Sequence, residues 1–315
     1  MRILITGAAG NLGSRLARHL LETHHQVRLL VHKTEPPSDL VSSQNAKVYR
    51  GNLAKPETLS SACADADCIV HLAGVLFAPR PEEFLPRTNI GFVQNILSAA
   101  QHSSVRKFIL VSFPHVEGET TPDHPATDRL DSSTDVIHFR TRLEAERLLL
   151  EQCAGTPITP VILRAGIVYG HGIKLMEAAR QLLRYRLLAI WQTPTWIHLV
   201  ALPDFLAALL AAIENESAKG TYNVCDEKPL TIQDFLDQLA AHFGCRKPWR
   251  LPEWMFYTAG ASCETFAWLF KTTAPLTRDI VKAGMTSAVA DPSRMKRELL
   301  PRLAYPTLSE GISLL

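Results

Sequence analysis

Short runs of Ile, Val and Leu alternate through the first half of the chain with longer stretches whose apolar residues recur every three or four positions. This is the pattern of repeated strand–helix–strand units around a parallel sheet, since a strand covered by helices on both faces has no polar side to show. RILIT (2–6), QVRLLV (26–31), AKVYR (46–50), CIVHLA (68–73) and KFILVS (107–112) are predicted as successive strands, with helices beginning near Leu12, Thr58 and Asn89. ITPVILRAG (158–166) reads as a sixth strand whose start is incompletely paired, because Pro160 has no N–H to donate.

Beyond about residue 170 the pattern loosens, as it does where a lobe is assembled from insertions. DFLAALLAAIEN (204–215) predicts a helix and GTYNV (220–224) a short strand. TIQDFLDQLAAHFG (231–244) predicts a helix capped by Thr231 and ended at Gly244. The apolar, aromatic stretch 253–270 places Ala259, Cys263, Phe266 and Phe270 at helical spacing, which points to core packing or a subunit contact rather than a membrane surface. Between Glu253 and Glu264 it is too short to span a bilayer. No internal repeat or low-complexity linker interrupts the chain.

Length and charge narrow the partner. A chain of 315 residues suits one large α/β domain, or a nucleotide-binding half with a smaller lobe. Net charge of +2 sets up no strong field towards nucleic acid or an anionic membrane, so a small-molecule partner is expected. The six cysteines fall singly, with no metal-ligand spacing, so no metal is implied and reduced thiols are expected. The N-terminus runs straight into MRILITG without secretory-signal features, and a cytoplasmic protein is the expectation.

The candidate chemistry begins at TGAAGNLG, which sets Gly7, Gly10 and Gly13 between the first strand and a helix carrying Leu12, Leu16 and Leu20. A backbone that turns sharply and lies against a diphosphate needs glycine, and the helix after it directs free N–H groups and its positive dipole end at the phosphates. A plain strand-to-helix turn is the competing explanation. The spacing is G-x-x-G-x-x-G, and with GNL (51–53), HLAG (71–74), NIGFVQN (89–95), LRAGIVYG (163–170), PDFLAAL (203–209) and GTYNV (220–224) the chain resembles the extended short-chain dehydrogenase/reductases, the NAD-dependent epimerase/dehydratase-like group, over nearly its whole length.

The resemblance implies a Rossmann-type doubly wound parallel sheet. Residues 1–170 would form the NAD(P)-binding domain and 171–315 mainly a C-terminal substrate lobe, some of whose segments return to the core. It implies a dinucleotide held at Gly7, Gly10, Asn11, Leu12 and Gly13, with Asn52 and Leu53 flanking the adenine and Ala73 and Gly74 along the ribose and diphosphate. An acid at the end of the second strand would hold a ribose 2′-hydroxyl and repel a 2′-phosphate. This chain has His32 and Lys33 there, which favours NADP, although Glu35 keeps NAD open.

The family's Tyr-x-x-x-Lys pair and its Ser or Thr after the fifth strand are missing. Matched positions carry His138 for Tyr, Arg142 for Lys and Phe113 for the hydroxyl. Helical spacing puts His138 and Arg142 on one face. An imidazole is a usable base at neutral pH without help, and an adjacent guanidinium favours its neutral form. The duller explanation is a surface helix on which Arg140–Glu144 and Arg142–Glu146 make exposed ion pairs. Ser112 faces the opposite way from Phe113, while His115 shares its parity, with Pro114 complicating the geometry.

In the lobe, Arg184, Arg186, Trp191, Trp196 and His198 could clamp an anionic ligand and stack on its ring, or simply form a solvent-facing helix and a packed strand. Two functions therefore stand: an oxidoreductase or epimerase-like enzyme with unconventional acid/base groups acting on a small carbonyl, hydroxyl or sugar-nucleotide-like compound, or an inactive NADP-binding sensor or scaffold. Outward-facing helices could support a homodimer.

Overall fold

The strands form where the apolar runs place them. In chain order, the computed structural model has β1 (Arg2–Thr6), α1 (Asn11–Leu21), β2 (Gln26–Val31), β3 (Ala46–Arg50), β4 (Cys68–His71), α2 (Phe92–Gln101), β5 (Lys107–Ser112), α3 (Ile137–Cys153) and β6 (Thr159–Ala165). It describes residues 1–74, 81–272, 274 and 276–315. The second half adds α4 (Lys174–Arg184), α5 (Leu202–Glu214), β7 (Gly220–Val224), α6 (Ile232–His242), α7 (Glu253–Phe270) and α8 (Arg278–Met285).

Seven parallel strands make one sheet in the order β7-β6-β5-β4-β1-β2-β3. Strand alternation sorts the core onto its two faces: Ile3 and Ile5 join Leu16, Leu20, Val70 and Phe205 on one, and Leu4 joins Ile69, Phe108, Leu97 and Leu149 on the other. Both faces are covered over the central strands, which lack the polar alternation of a half-exposed sheet, while the edge strand β3 exposes Lys47 and Arg50.

Pro160 fits without breaking the sheet. β5 pairs with β6 from Thr159 onwards, but β7 pairs only from Val161, so the missing N–H falls outside the β7 ladder. The helix expected near Thr58 is a 3₁₀ turn (Pro56–Thr58) followed by a short helix (Ser60–Cys63). The one expected near Asn89 starts earlier, at Pro81, and passes through a π-helical segment (Pro86–Gly91), where Pro86 supplies no N–H, before becoming α2.

Several second-half segments return to the sheet. GTYNV is its edge strand β7, and α5 packs on the same face as Ile3 through Phe205, Ala208 and Leu209. The C-terminal end of α5 is held by the buried Lys107, whose Nζ donates to the carbonyls of Ala212, Ile213 and Asn215 at 2.7–3.1 Å. The C-terminal lobe has its own core, in which Met176, Leu183, Trp191, Ile197, Phe235 and Leu239 meet. α6 is capped as the sequence predicts: Thr231 Oγ1 accepts from the N–H of Asp234 at 3.0 Å, and Gly244 turns the chain with φ of +62°.

α7 spans the predicted 253–270 but is not core. Of its residues only Gly260 is buried; Trp254, Phe266, Trp268, Leu269 and Phe270 stand more than half exposed. Its apolar residues run around the helix rather than along one stripe, and the helix packs chiefly on α8, with Phe256 edge-on to Trp191.

Candidate functional site

Strand order reverses between β1 and β4, so the crevice at their carboxyl ends is where this architecture leaves room for a ligand. β1 delivers Thr6 and Gly7 to it, and β4 delivers His71 to Gly74. Thr6 and His71 are register partners joined by a 3.0 Å Oγ1–Nδ1 contact, and the N–H of Ala73 donates to Thr6 Oγ1 at 3.2 Å. The crevice floor is therefore a fixed hydrogen-bonded seam.

The glycine loop is shaped by contacts that only hydrogen permits. Gly7 has φ of +72°, and a Cβ there would lie 2.9 Å from the nitrogen of Ala73. A Cβ on Gly13 would come within 2.2 Å of the Gly7 carbonyl, so α1 presses directly on the turn. Gly10 closes that turn, its N–H donating to Gly7 O at 2.8 Å. Leu12 follows as the first partly buried apolar residue of α1. The Asn11 side chain does not face the crevice: its Nδ2 donates to Gly172 O at 2.9 Å and its Oδ1 accepts from Lys174 N at 3.3 Å. Asn11 thus offers a ligand its backbone, while its side chain ties the lobe to the loop.

The remaining cofactor positions line the same edge. His32 and Lys33 are exposed beyond β2, and Glu35 is turned away onto Arg50 at 2.6 Å. Asn52 and Leu53 form the turn after β3, with Asn52 Oδ1 accepting from Ala54 N and Leu53 O from Asn95 Nδ2. Ala73 and Gly74 end the β4 segment, and a Cβ on Gly74 would meet Arg142 Nη2 at 2.9 Å.

Arg142 is therefore not on a surface helix. Its guanidinium lies against Gly74 with the residue 7 % exposed, and it makes no hydrogen bond or ion pair among the described residues. The expected surface pair with Glu146 is overturned, because Glu146 is itself buried and engaged by Arg164 from β6, which donates from Nε at 3.1 Å and from Nη2 at 2.7 Å. Arg164 also pairs with Glu117, whose carboxylate accepts the N–H groups of Thr127, Asp128 and Arg129. This buried network anchors the segment leading into α3. A charged residue inside the apolar run VILRAG was its one sequence signal, since such a charge needs a buried partner.

His138 and Phe113, one turn from Arg142 and at the end of β5, stack face to face with centroids 5.1 Å apart and planes 12° from parallel. Pro114 opens a 3₁₀ turn that brings His115 back, edge-on to Phe113 at 5.9 Å, so the geometry that proline put in question does form. The imidazoles are kept neutral. Burial, then the Arg142 charge, pushes His138 down to about 4 and His71 to about 3; burial, then His138, takes His115 to about 4. Burial, opposed by Glu146, lowers Arg142 to about 10, so it stays cationic at neutral pH. Nδ1 of His138 and Nε of Arg142 are buried without partners among the described residues. Among the described residues the site thus holds one cation, Arg142, with no paired anion and with Glu146 acting on it only at a distance, beside a neutral aromatic cluster.

The lobe residues sit elsewhere. Arg184 and Arg186 are exposed at the far end of α4, and Trp191 and His198 are buried.

Residues 3–225 match the model of the NAD dependent epimerase/dehydratase family. The chain is 27 % identical to the 2-alkyl-3-oxoalkanoate reductase of Stenotrophomonas maltophilia over 297 residues, 88 % of this chain and 87 % of the relative. It is 27 % identical to a 3 beta-hydroxysteroid dehydrogenase/Delta 5-->4-isomerase of Mycobacterium tuberculosis over 56 % of this chain and 49 % of that one. The solved UDP-glucuronic acid 4-epimerase of Bacillus cereus, in complex with UDP-glucuronic acid and NAD, superposes with a TM-score of 0.78 at 21 % identity, covering 100 % of this chain and 97 % of its own, a likeness of fold. No helix among the described residues is long and apolar enough to cross a membrane.

Proposed function

The chain belongs to the NAD-dependent epimerase/dehydratase family, an NAD(P)-binding oxidoreductase and epimerase type, and from that premise we propose an NADP-dependent oxidoreductase of small carbonyl or hydroxyl compounds in which Arg142 and His138 stand in for the family's lysine and tyrosine. The observation that carries the proposal is Arg142: a buried guanidinium without an anionic partner among the described residues is costly to keep, and it lies against Gly74, where a diphosphate, ribose or substrate oxygen would complete its bonds.

The residues present fit a dinucleotide. With the Gly10 N–H already used on Gly7 O, the backbone amides from Asn11 onwards would receive its diphosphate at the start of α1, and Gly7 and Gly13 keep that approach free of side chains. With Glu35 turned onto Arg50 in an exposed pair, the charged or titratable side chains left at the end of β2 are His32 and Lys33, which suits the 2′-phosphate of NADP rather than the free hydroxyl of NAD. When bound, the nicotinamide supplies or accepts the hydride. Arg142 stabilises negative charge on the reacting oxygen by charge-assisted hydrogen bonds. His138, neutral at pH 7 with Nδ1 buried, would take the proton of a substrate hydroxyl at Nε2 as the hydride leaves, and the imidazolium would release it to water; carbonyl reduction runs the same transfers in reverse.

One observation favours a second reading, a sensor that keeps the dinucleotide without turnover: the Phe113–His138 stack sets two ring faces where the family has two hydroxyls. Turnover of small ketones with NADPH, followed as loss of cofactor absorbance, separates the two. The enzyme reading expects turnover that falls about a hundredfold in His138→Ala. NADPH binding with no turnover, unaltered by the substitution, would establish the sensor instead.

A further inference from the structure

At the opposite end of α4 from the dinucleotide crevice lies an open cleft of about 530 Å³ whose charged lining is four guanidiniums, those of Arg180, Arg184, Arg186 and Arg246. Lys174, at the start of α4, contacts Asn11, and Arg184 is ten residues further, roughly 15 Å along the axis, so the cleft is separate from the cofactor site. None of the four makes an ion pair or hydrogen bond to an acid among the described residues; Arg180 only lies over the Phe243 ring at 4.9 Å. Residues 178–190 and 242–252 contain six Lys or Arg and no Asp or Glu; Lys247 and Arg250 share Asp237 at 2.9 and 2.6 Å, which leaves the four cleft arginines as the local excess among the described residues.

Large apolar side chains stand beside these charges. Tyr185, Leu187 and Trp249 are 69 %, 70 % and 62 % exposed, and Trp249 is fixed by its indole N–H donating to Arg186 O at 3.2 Å. Four residues beyond it α7 begins, carrying the 63 % exposed Trp254.

We propose that this face docks on an anionic phospholipid surface, the arginines taking lipid phosphates while Tyr185, Leu187 and the tryptophans enter the headgroup boundary. Guanidiniums pair with phosphate in a planar fork, Trp and Tyr settle at membrane interfaces, and exposed leucine has a favourable place only in the acyl boundary. That aliphatic component separates a bilayer from a single-stranded nucleic acid, whose bases stack on aromatic rings but offer nothing to Leu187. A second copy meeting this face symmetrically would bring like charges together.

Co-sedimentation of the full chain tests the proposal. It is expected to partition onto phosphatidylcholine vesicles carrying about 30 mol% phosphatidylglycerol, to ignore pure phosphatidylcholine, and to be released near 0.5 M salt, where the Debye length is roughly 4 Å. Arg184→Glu with Arg246→Glu is expected to weaken partition at least about tenfold, and Leu187→Ser to weaken it while keeping the salt dependence, both with unchanged thermal unfolding. The proposal is overturned if the wild type ignores anionic vesicles, if charge reversal leaves partition unchanged, or if the arginines instead retain single-stranded DNA or hold two copies together.

Discussion

Arg142→Met is expected to stabilise the ligand-free protein by about 1–3 kcal/mol while weakening dinucleotide binding or turnover about 10- to 100-fold. The two effects have opposite signs because the guanidinium is buried against Gly74 with no anion paired to it among the described residues and Glu146 acting on it only at a distance, so removing it relieves a poorly compensated charge. The same removal takes away charge-assisted hydrogen bonds that the charge makes only to a ligand. Arg142→Lys keeps the cation without the planar fork and is expected to fall between. Denaturant midpoints and cofactor titrations on the three proteins check this. A destabilised Met variant with intact binding would make Arg142 a structural residue and remove the observation on which the functional reading rests.

Stability is expected to collapse on mild acidification. His71, His115, His138 and His198 all have folded pKa values depressed by burial, to about 3 for the first and about 4 for the others. A depressed imidazole contributes stability fully above its unfolded value near 6.5, and loses it as pH falls towards the folded value, because only the unfolded chain takes up the proton in that window. Asp226 acts in the opposite sense: burial raises it to about 8, so below that pH the folded chain holds a proton the unfolded chain lacks until about pH 4. For these five groups, four protons taken up by the unfolded state against one by the folded leave a limiting slope of about 4 kcal/mol per pH unit below pH 6.5, to which His25, lowered by burial, adds and which Asp279, raised by burial, opposes. Urea midpoints at pH 7, 6 and 5 should fall steeply; midpoints flat across that range would mean the imidazoles are not held neutral.

The sheet was legible because it depends on local pattern. β1, β2, β3 and β5 begin and end where their apolar runs do; β1, β2 and β5 are buried on both faces, whereas the edge strand β3 exposes Lys47 and Arg50 and is marked by its β-branched and aromatic residues Val48 and Tyr49. The glycine loop was legible for a related reason, the tight contact of Gly13 with Gly7 being encoded in residues a few positions apart. What failed to show were partners brought from elsewhere in the chain. Arg142 and Glu146 have ideal spacing for a surface pair, but Arg164, eighteen residues past Glu146, takes the carboxylate and leaves Arg142 without a paired acid among the described residues. Asn11 belongs to the glycine motif, yet its side chain turns to Gly172, 161 residues away. For α7 the boundaries followed from composition, but not its exposure, because apolar residues on every side specify no buried face. The arginine cleft was hidden likewise: three of its members lie in one segment and Arg246 sixty residues later.

The central claim is that the turn from Gly7 to Gly13, with Arg142 behind it, receives a dinucleotide diphosphate. Isothermal calorimetry with NADPH and NADH at pH 7.5, on the wild type and on Gly13→Ala, tests it most directly. The account predicts saturable binding of one nucleotide per chain, tighter for NADPH, and its loss when the added Cβ meets the Gly7 carbonyl. No heat of binding from either nucleotide to a folded wild-type protein would contradict it.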